Sequence, residues 1–80
     1  MLTEYLRKAM AKARYEILTG EEGFYGEIPG FQGVFAEAKT LEACREELAS
    51  VLEDWVLFRV SKNLRLPVVG GLKLMVKEVA

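Results

Sequence analysis

Few side chains in this 80-residue sequence are of the kinds that enzymes use for catalysis. There is no His, which is the commonest general base and a common metal ligand in proteins. The only Cys, Cys44, lies on an apolar helical stripe, where packing in a core is more frequent than nucleophilic reactivity. Ser50 and Ser61 have no His to activate them. The sequence therefore predicts a protein that is not an enzyme and that needs no metal ion or cofactor.

Carboxylates are more numerous, but their spacing does not resemble an acid/base site. Glu21 and Glu22 fall in a turn, and Glu46 and Glu47 fall on a helix surface. Catalytic carboxylate pairs need environments that move their pKa values apart, whereas these positions predict side chains exposed to solvent. The glycines between residues 20 and 33 lack the strand-to-helix context of a phosphate-binding loop and instead predict hairpin turns.

Charge is unevenly distributed along the chain, although the net charge is only −1. Residues 1–15 and 61–80 each carry a balance of +3, whereas residues 16–37 contain five Glu and no basic residue. Because there is no overall basic field, the sequence does not predict binding to nucleic acid. The acidic middle of the chain could face a basic partner or could be ordinary solvated surface, and the sequence leaves both interpretations open.

The hydrophobic pattern of the first half changes from a helical period to an alternating one. Residues 1–12 have apolar side chains at helical spacing and predict a short amphipathic helix. From residue 13 the period is two, and turns at residues 19–23 and 29–30 divide the pattern into strands. Strands that follow one another with short connections predict an antiparallel meander. The three predicted strands cover residues 13–18, 24–28 and 33–38.

The second half predicts one long helix and one further strand. Thr40 is a suitable N-cap for the helix, and Asn63 is a plausible left-handed residue at its end. Residues 72–79 alternate again and predict a last strand. The predicted order is α-β-β-β-α-β. This order defines an α+β fold in which the long helix packs on one face of a three-stranded meander plus a fourth strand. Residues 1–80 are expected to form a single domain, with a core over residues 13–80.

The long helix carries more apolar side chains than one sheet-facing stripe requires. Val56, Leu57 and Val60 widen its apolar arc towards the C-terminal end. We interpret this excess either as extra core or as a dimer interface, to which Met75 of the last strand would contribute. The stripe predicted to cover the sheet consists of Leu41, Cys44, Leu48, Val51, Leu52, Trp55 and Phe58.

The overall composition favours self-association. Hydrophobic residues make up 51% of the chain, and oligomerisation is a common way for so small a domain to gain core. We therefore expect a homodimer. No apolar run approaches the length of a membrane span, and the N-terminus lacks the hydrophobic stretch of a signal peptide. Together with the lone Cys44, this predicts a soluble protein of the reducing cytoplasm.

An ordered set of short motifs resembles the HicB-like antitoxin family. The set comprises a polar turn with Gly and an aromatic, a strand ending in Ile-Pro, a Gly-apolar restart, a Thr-x-Glu-Ala helix opening and a later apolar-Pro step. The motifs cover roughly residues 12–79 of this chain. The matching residues are Glu22-Gly23-Phe24-Tyr25, Ile28-Pro29, Gly33-Val34, Thr40, Glu42, Ala43, Glu47-Leu48 and Leu66-Pro67.

The resemblance implies a partial ribonuclease-H-like fold without catalytic acids and an antitoxin function. Its partner would be a HicA-type mRNA interferase, a small basic ribonuclease that the antitoxin occludes. We expect no DNA binding from this chain alone. The candidate partner-binding residues are the acids of the meander, Glu21, Glu22, Glu27 and Glu37.

Two other functions are alternatives to the antitoxin. An orphan dimeric adaptor with no toxin partner is the main one. Residual ribonuclease-H-like activity is disfavoured, because metal-dependent hydrolysis needs clustered carboxylates.

Overall fold

The computed structural model describes residues 2–20 and 23–70. This part of the chain contains two helices and three strands: α1 (Leu2–Ala11), β1 (Arg14–Ile17), β2 (Phe24–Glu27), β3 (Phe35–Ala38) and α2 (Leu41–Ser61). The predicted α+β class and the order of these elements are confirmed. The predicted last strand, residues 72–79, lies outside the described residues. Neither described helix is long and apolar enough to cross a membrane.

The strands form an antiparallel sheet in the order β1-β2-β3, as the meander predicts. Arg14 of β1 lies opposite Glu27 of β2, and Glu27 lies opposite Phe35 of β3. The turn between β1 and β2 uses Gly20 at a φ of 82°, a left-handed conformation that glycine adopts without penalty. This register determines which side chains share each face of the sheet.

Local signals in the sequence define both ends of α2. At the start, the hydroxyl of Thr40 accepts a hydrogen bond of 3.0 Å from the backbone N–H of Ala43. At the end, Asn63 has a φ of 56° and its N–H donates to the Val60 carbonyl at 3.1 Å. The next N–H, of Leu64, donates to the Arg59 carbonyl at 2.9 Å, which completes a Schellman motif. Both predicted caps are confirmed.

Helix α2 packs against the sheet across a glycine. A Cβ atom at Gly26 would lie 2.9 Å from two ring atoms of Tyr15 and 3.2 Å from the Sγ atom of Cys44. Ala36, opposite Gly26 on β3, is also buried. Its carbonyl oxygen accepts a hydrogen bond from the Cys44 thiol, with 3.6 Å between the oxygen and Sγ. Small residues on β2 and β3 therefore allow the helix to approach the backbone of the sheet closely.

The buried stripe of α2 differs from the predicted one at both ends. Leu41, which was predicted to cover the sheet, is 47% exposed. Cys44, Leu48, Leu52 and Val56 are the fully buried residues of the helix, one every four positions. An α-helix turns by about 100° per residue, so a spacing of four rotates the stripe by about 40° at each step. The stripe moves away from Phe58, which is 58% exposed. The prediction that Phe58 covers the sheet is wrong, and Val56 takes the buried position.

The C-terminal half of α2 extends beyond the sheet. The helix has 21 residues and the strands four each. At about 1.5 Å and 3.3 Å per residue, they span about 31 Å and about 13 Å. The overhanging part packs instead against the loop between β2 and β3, where the Phe31 and Trp55 rings lie 5.2 Å apart.

Helix α1 completes the core at this overhang. Tyr5 and Ala9 are fully buried, and the Tyr5 ring lies 6.4 Å from that of Phe31. The Tyr5 hydroxyl donates a hydrogen bond to the Pro67 carbonyl, and Val69 is buried in the same cluster. The segment after α2 is therefore held against α1 rather than projecting into solvent.

Candidate protein-binding face

The sheet has one face that α2 does not cover. Because Gly26 points towards α2, its neighbours Tyr25 and Glu27 point to the other side of β2. The strand register adds their cross-strand partners to the same side. We name this side the open face; its residues are Arg14, Glu16, Tyr25, Glu27, Phe35 and Glu37.

Tyr25 lies at the centre of the open face. Glu16 of β1 and Glu37 of β3 are its direct cross-strand partners. Its hydroxyl donates a hydrogen bond of 3.2 Å to Oε1 of Glu27, and its ring stacks on that of Phe35, with centroids 6.2 Å apart and an angle of 25° between the planes. Phe35 is itself 55% exposed, so the aromatic pair forms an apolar surface among carboxylates.

Three carboxylates lie around Tyr25 and affect the pKa of its hydroxyl. Partial desolvation raises the pKa of the Tyr25 hydroxyl, and the hydrogen bond to Glu27 raises it further. The negative charges of Glu27, Glu16 and Glu37 act in the same direction, because each opposes a negative phenolate. The open face is therefore acidic around an aromatic centre, and the only basic residue of its two cross-strand rows is Arg14.

The structure brings together two of the four acids named from the sequence. Glu27 and Glu37 are exposed on the open face, whereas Glu21 and Glu22 lie outside the described residues. Glu16 was not named, yet it stands directly opposite Tyr25. The alternating pattern of β1 places Glu16 on the same side of the strand as Arg14, but only the register shows that it shares a row with Tyr25 and Glu37.

The residues named for a dimer interface have different environments. Val56 is fully buried within the chain, so its side chain is not available to a second copy. Val60 is half-buried against the core, and Leu57 is 50% exposed. Met75 lies outside the described residues. The apolar arc of α2 is thus partly core, and Leu57 and Phe58 form its exposed part.

The described residues contain neither a cluster of metal ligands nor an exposed thiol. No group of three His, Cys, Asp or Glu residues within 2–20 and 23–70 could hold a metal ion. Cys44 is buried, and burial raises the pKa of its thiol, with the charges of Glu37 and Glu47 adding to the effect. A recess of about 470 Å³ adjoins the open face at the β2–β3 loop and is lined by Tyr25, Glu27 and Phe35, among others.

The fold and this face define a small α+β domain that presents an acidic, aromatic sheet surface. The model of the UPF0150-like family matches residues 4–67, and the chain belongs to that family. It is also similar to the protein in the crystal structure of TTHA0281 from Thermus thermophilus, with 44% sequence identity and a TM-score of 0.89. That similarity covers 96% of this chain and 95% of the other. No curated protein matches the chain.

Proposed function

We propose that this protein is a non-catalytic, protein-binding domain that acts as an antitoxin. It neutralises a small basic ribonuclease of the HicA type by covering the ribonuclease's RNA-binding surface with the open face. The UPF0150-like family is related to HicB-like antitoxins, and this relationship supports the proposed antitoxin function. The observation that carries the proposal is the position of Glu16, Glu27 and Glu37 around Tyr25.

The composition of the open face suits a basic partner. A ribonuclease presents Lys and Arg to the phosphates of RNA, and a carboxylate surface complements these side chains. The stacked rings of Tyr25 and Phe35 add apolar contact area, and an aromatic face attracts a guanidinium group placed above it. Charge brings the partner to the face, and the aromatic pair supplies the contact that keeps it there.

Inhibition by occlusion requires no chemistry from the antitoxin itself. The open face offers three carboxylates at exposed positions, where a partner can reach them. This function belongs in the cytoplasm, where the mRNA substrate of such a ribonuclease is translated. We expect the protein to be a homodimer when no ribonuclease is bound. An orphan adaptor without a toxin would share the dimer but not the ribonuclease.

The test needs a small basic ribonuclease of the HicA type, to be sought among the genes next to the one for this protein, and it measures inhibition of that enzyme. We expect the purified protein to bind it and to stop RNA cleavage at equimolar concentration. A variant with Glu16, Glu27 and Glu37 all changed to Gln should associate about tenfold more slowly at low ionic strength, with a flatter salt dependence. Stopped-flow association at several salt concentrations measures both effects.

A matched variant separates the open face from general charge. Glu42, Glu46 and Glu53 are exposed on α2, and changing them to Gln removes the same amount of negative charge. This control variant should associate with the ribonuclease at nearly the wild-type rate. Equal loss in the two triple variants would contradict the assignment of the open face, and failure of the wild-type protein to bind the ribonuclease would favour the orphan adaptor.

A further inference from the structure

A second recess lies on the other side of the β2–β3 loop from the open face. It has a volume of about 460 Å³ and is lined by Trp55 and Arg59 of α2, by Arg65 and by the loop residues Gly30 and Gln32, among others. Among the described residues, two arginines line this recess and no acidic residue does, so its character is opposite to that of the open face. We name this recess the basic groove.

Arg59 is held in place within the basic groove. Its guanidinium carbon lies 4.8 Å from the centroid of the Trp55 ring, and its Nε–H donates to the Arg65 carbonyl at 2.8 Å. The Trp55 indole is fixed in turn, because its N–H donates to the Gln32 carbonyl at 3.1 Å. Within residues 2–20 and 23–70, no carboxylate forms an ion pair with Arg59 or Arg65. The groove therefore presents an ordered positive charge that its own chain leaves unpaired in this region.

The acidic recess and the basic groove are neighbours. Gly30 and Gln32 line both, so the loop between β2 and β3 is the wall that separates them. Glu27 lies on one side of this wall, and Arg59 and Arg65 lie on the other. One short stretch of surface thus carries both signs of charge.

We propose that the protein pairs with a second copy of itself across this loop, each copy placing Glu27 in the basic groove of the other. In a twofold symmetric interface, a contact from one patch to another occurs twice, once in each direction. The acidic recess and the basic groove are adjacent patches of opposite charge. When a twofold axis passes through the loop between them, the acidic recess of each copy faces the basic groove of the other. An unrelated acidic partner would fill the groove but leave Glu27 unmatched.

This inference goes beyond the antitoxin proposal and does not depend on it. The contact joins Glu27 of the open face to a groove outside that face, so a second copy and the ribonuclease compete for Glu27. Because the net charge is only −1, two copies of the chain do not repel each other strongly. The orientation of the pair is then set by the local charges around the loop.

Charge reversal on each side of the contact tests the arrangement. Glu27→Lys places a positive charge against the basic groove, and Arg65→Glu places a negative charge against Glu27. Arg65 is suitable because its side chain is exposed and only its backbone carbonyl serves Arg59. Self-association is measured by sedimentation equilibrium across a concentration series, and thermal unfolding confirms that each variant is folded.

We expect each variant alone to dimerise at least about tenfold more weakly than the wild type, since every altered contact occurs twice. An equimolar mixture of the two variants should restore dimerisation. In the mixed pair the two introduced charges, which are opposite in sign, face each other at one contact. At the other contact the unchanged Glu27 faces the unchanged Arg59 and Arg65. Control reversals at exposed sites elsewhere, Glu53→Lys and Arg7→Glu, should leave the dimer unchanged.

Three results would overturn the inference. The first is a wild-type protein that stays monomeric at 9.0 kDa over the whole concentration series. The second is dimerisation that neither reversal weakens, which would move the interface to another surface, such as the exposed Leu57 and Phe58. The third is a mixture that fails to restore what the single variants lose.

Discussion

Tyr5 connects three parts of the molecule through one side chain. It is fully buried, its ring packs against Phe31 of the β2–β3 loop, and its hydroxyl donates to the carbonyl of Pro67. The apolar ring and the polar tip thus have different partners, as is usual for a buried tyrosine. This residue explains how α1 is held against the segment that follows α2.

Removal of the Tyr5 hydroxyl should cost a measurable amount of stability. Tyr5→Phe keeps the ring in the core but leaves the Pro67 carbonyl without its donor, and we expect the free energy of unfolding to fall by about 1 kcal/mol. Tyr25→Phe removes a hydroxyl that bonds only to the exposed Glu27, and its effect should be smaller. Urea denaturation of both variants measures the difference. A larger loss for Tyr25→Phe than for Tyr5→Phe would contradict the role given to Tyr5.

At the scale of elements, Gly26 sets how closely α2 approaches the sheet. Gly26→Ala introduces a methyl group 2.9 Å from the Tyr15 ring, so either the ring or the helix must move. We expect the free energy of unfolding to fall by about 1–3 kcal/mol, the usual range for an overpacked core. Equilibrium denaturation checks the size of this loss.

Introducing Gly26→Ala into a Tyr15→Ala variant tests whether the Tyr15 ring causes the loss of stability. Without the ring, the added methyl group meets only the Cys44 sulfur at 3.2 Å, so the cost of Gly26→Ala should shrink. An equal cost with and without the Tyr15 ring would show that the loss has another origin, such as the backbone preference of the glycine.

The sequence predicted elements whose signals are local. The cap at Thr40, the left-handed Asn63 and the alternating strands all depend on residues close together in the chain, and each is observed. The extent of the α2 stripe was not predictable in the same way. It depends on how far the sheet reaches under the helix, and short strands leave Phe58 without a surface to cover.

Long-range placement accounts for what the sequence missed in the candidate site and the core. Phe31 is 4% exposed although it lies in a loop, because α1 and Trp55 close over it. Glu16 joins the open face only through its pairing with Tyr25. Both facts depend on tertiary contacts that no local pattern contains.

The pH dependence of stability belongs to the molecule as a whole. The chain has no His, so stability should vary little between about pH 6 and 8. Burial raises the pKa of the Cys44 thiol above 9.0 and that of the Tyr5 and Tyr15 hydroxyls above 10.0. A raised pKa means that the folded state holds its proton more tightly than the unfolded state, so this stabilisation is present below these values and is lost as the pH rises through them.

We therefore expect the free energy of unfolding to decline in alkaline solution, beginning above pH 9.0 and steepening above 10.0. Tyr5→Phe lacks one of the responsible hydroxyls and should show a shallower decline. Denaturation curves recorded from neutral to alkaline pH measure the slope for both proteins. Identical alkaline slopes would show that Tyr5 does not contribute.

The hydrogen bond from Tyr5 to Pro67 joins positions 62 residues apart, and this has a consequence for the order of assembly. Closing a long loop costs more chain entropy than pairing neighbouring strands, so we expect the meander and α2 to form first and α1 to dock last. Proteins also open locally in cooperative units, and we expect α1 to be such a unit. A small fraction of folded molecules should then have α1 released while the sheet and α2 remain together, which native-state hydrogen exchange would detect as weaker protection of the α1 amides. This partly opened form uncovers Phe31 beside the basic groove without unfolding the rest of the protein.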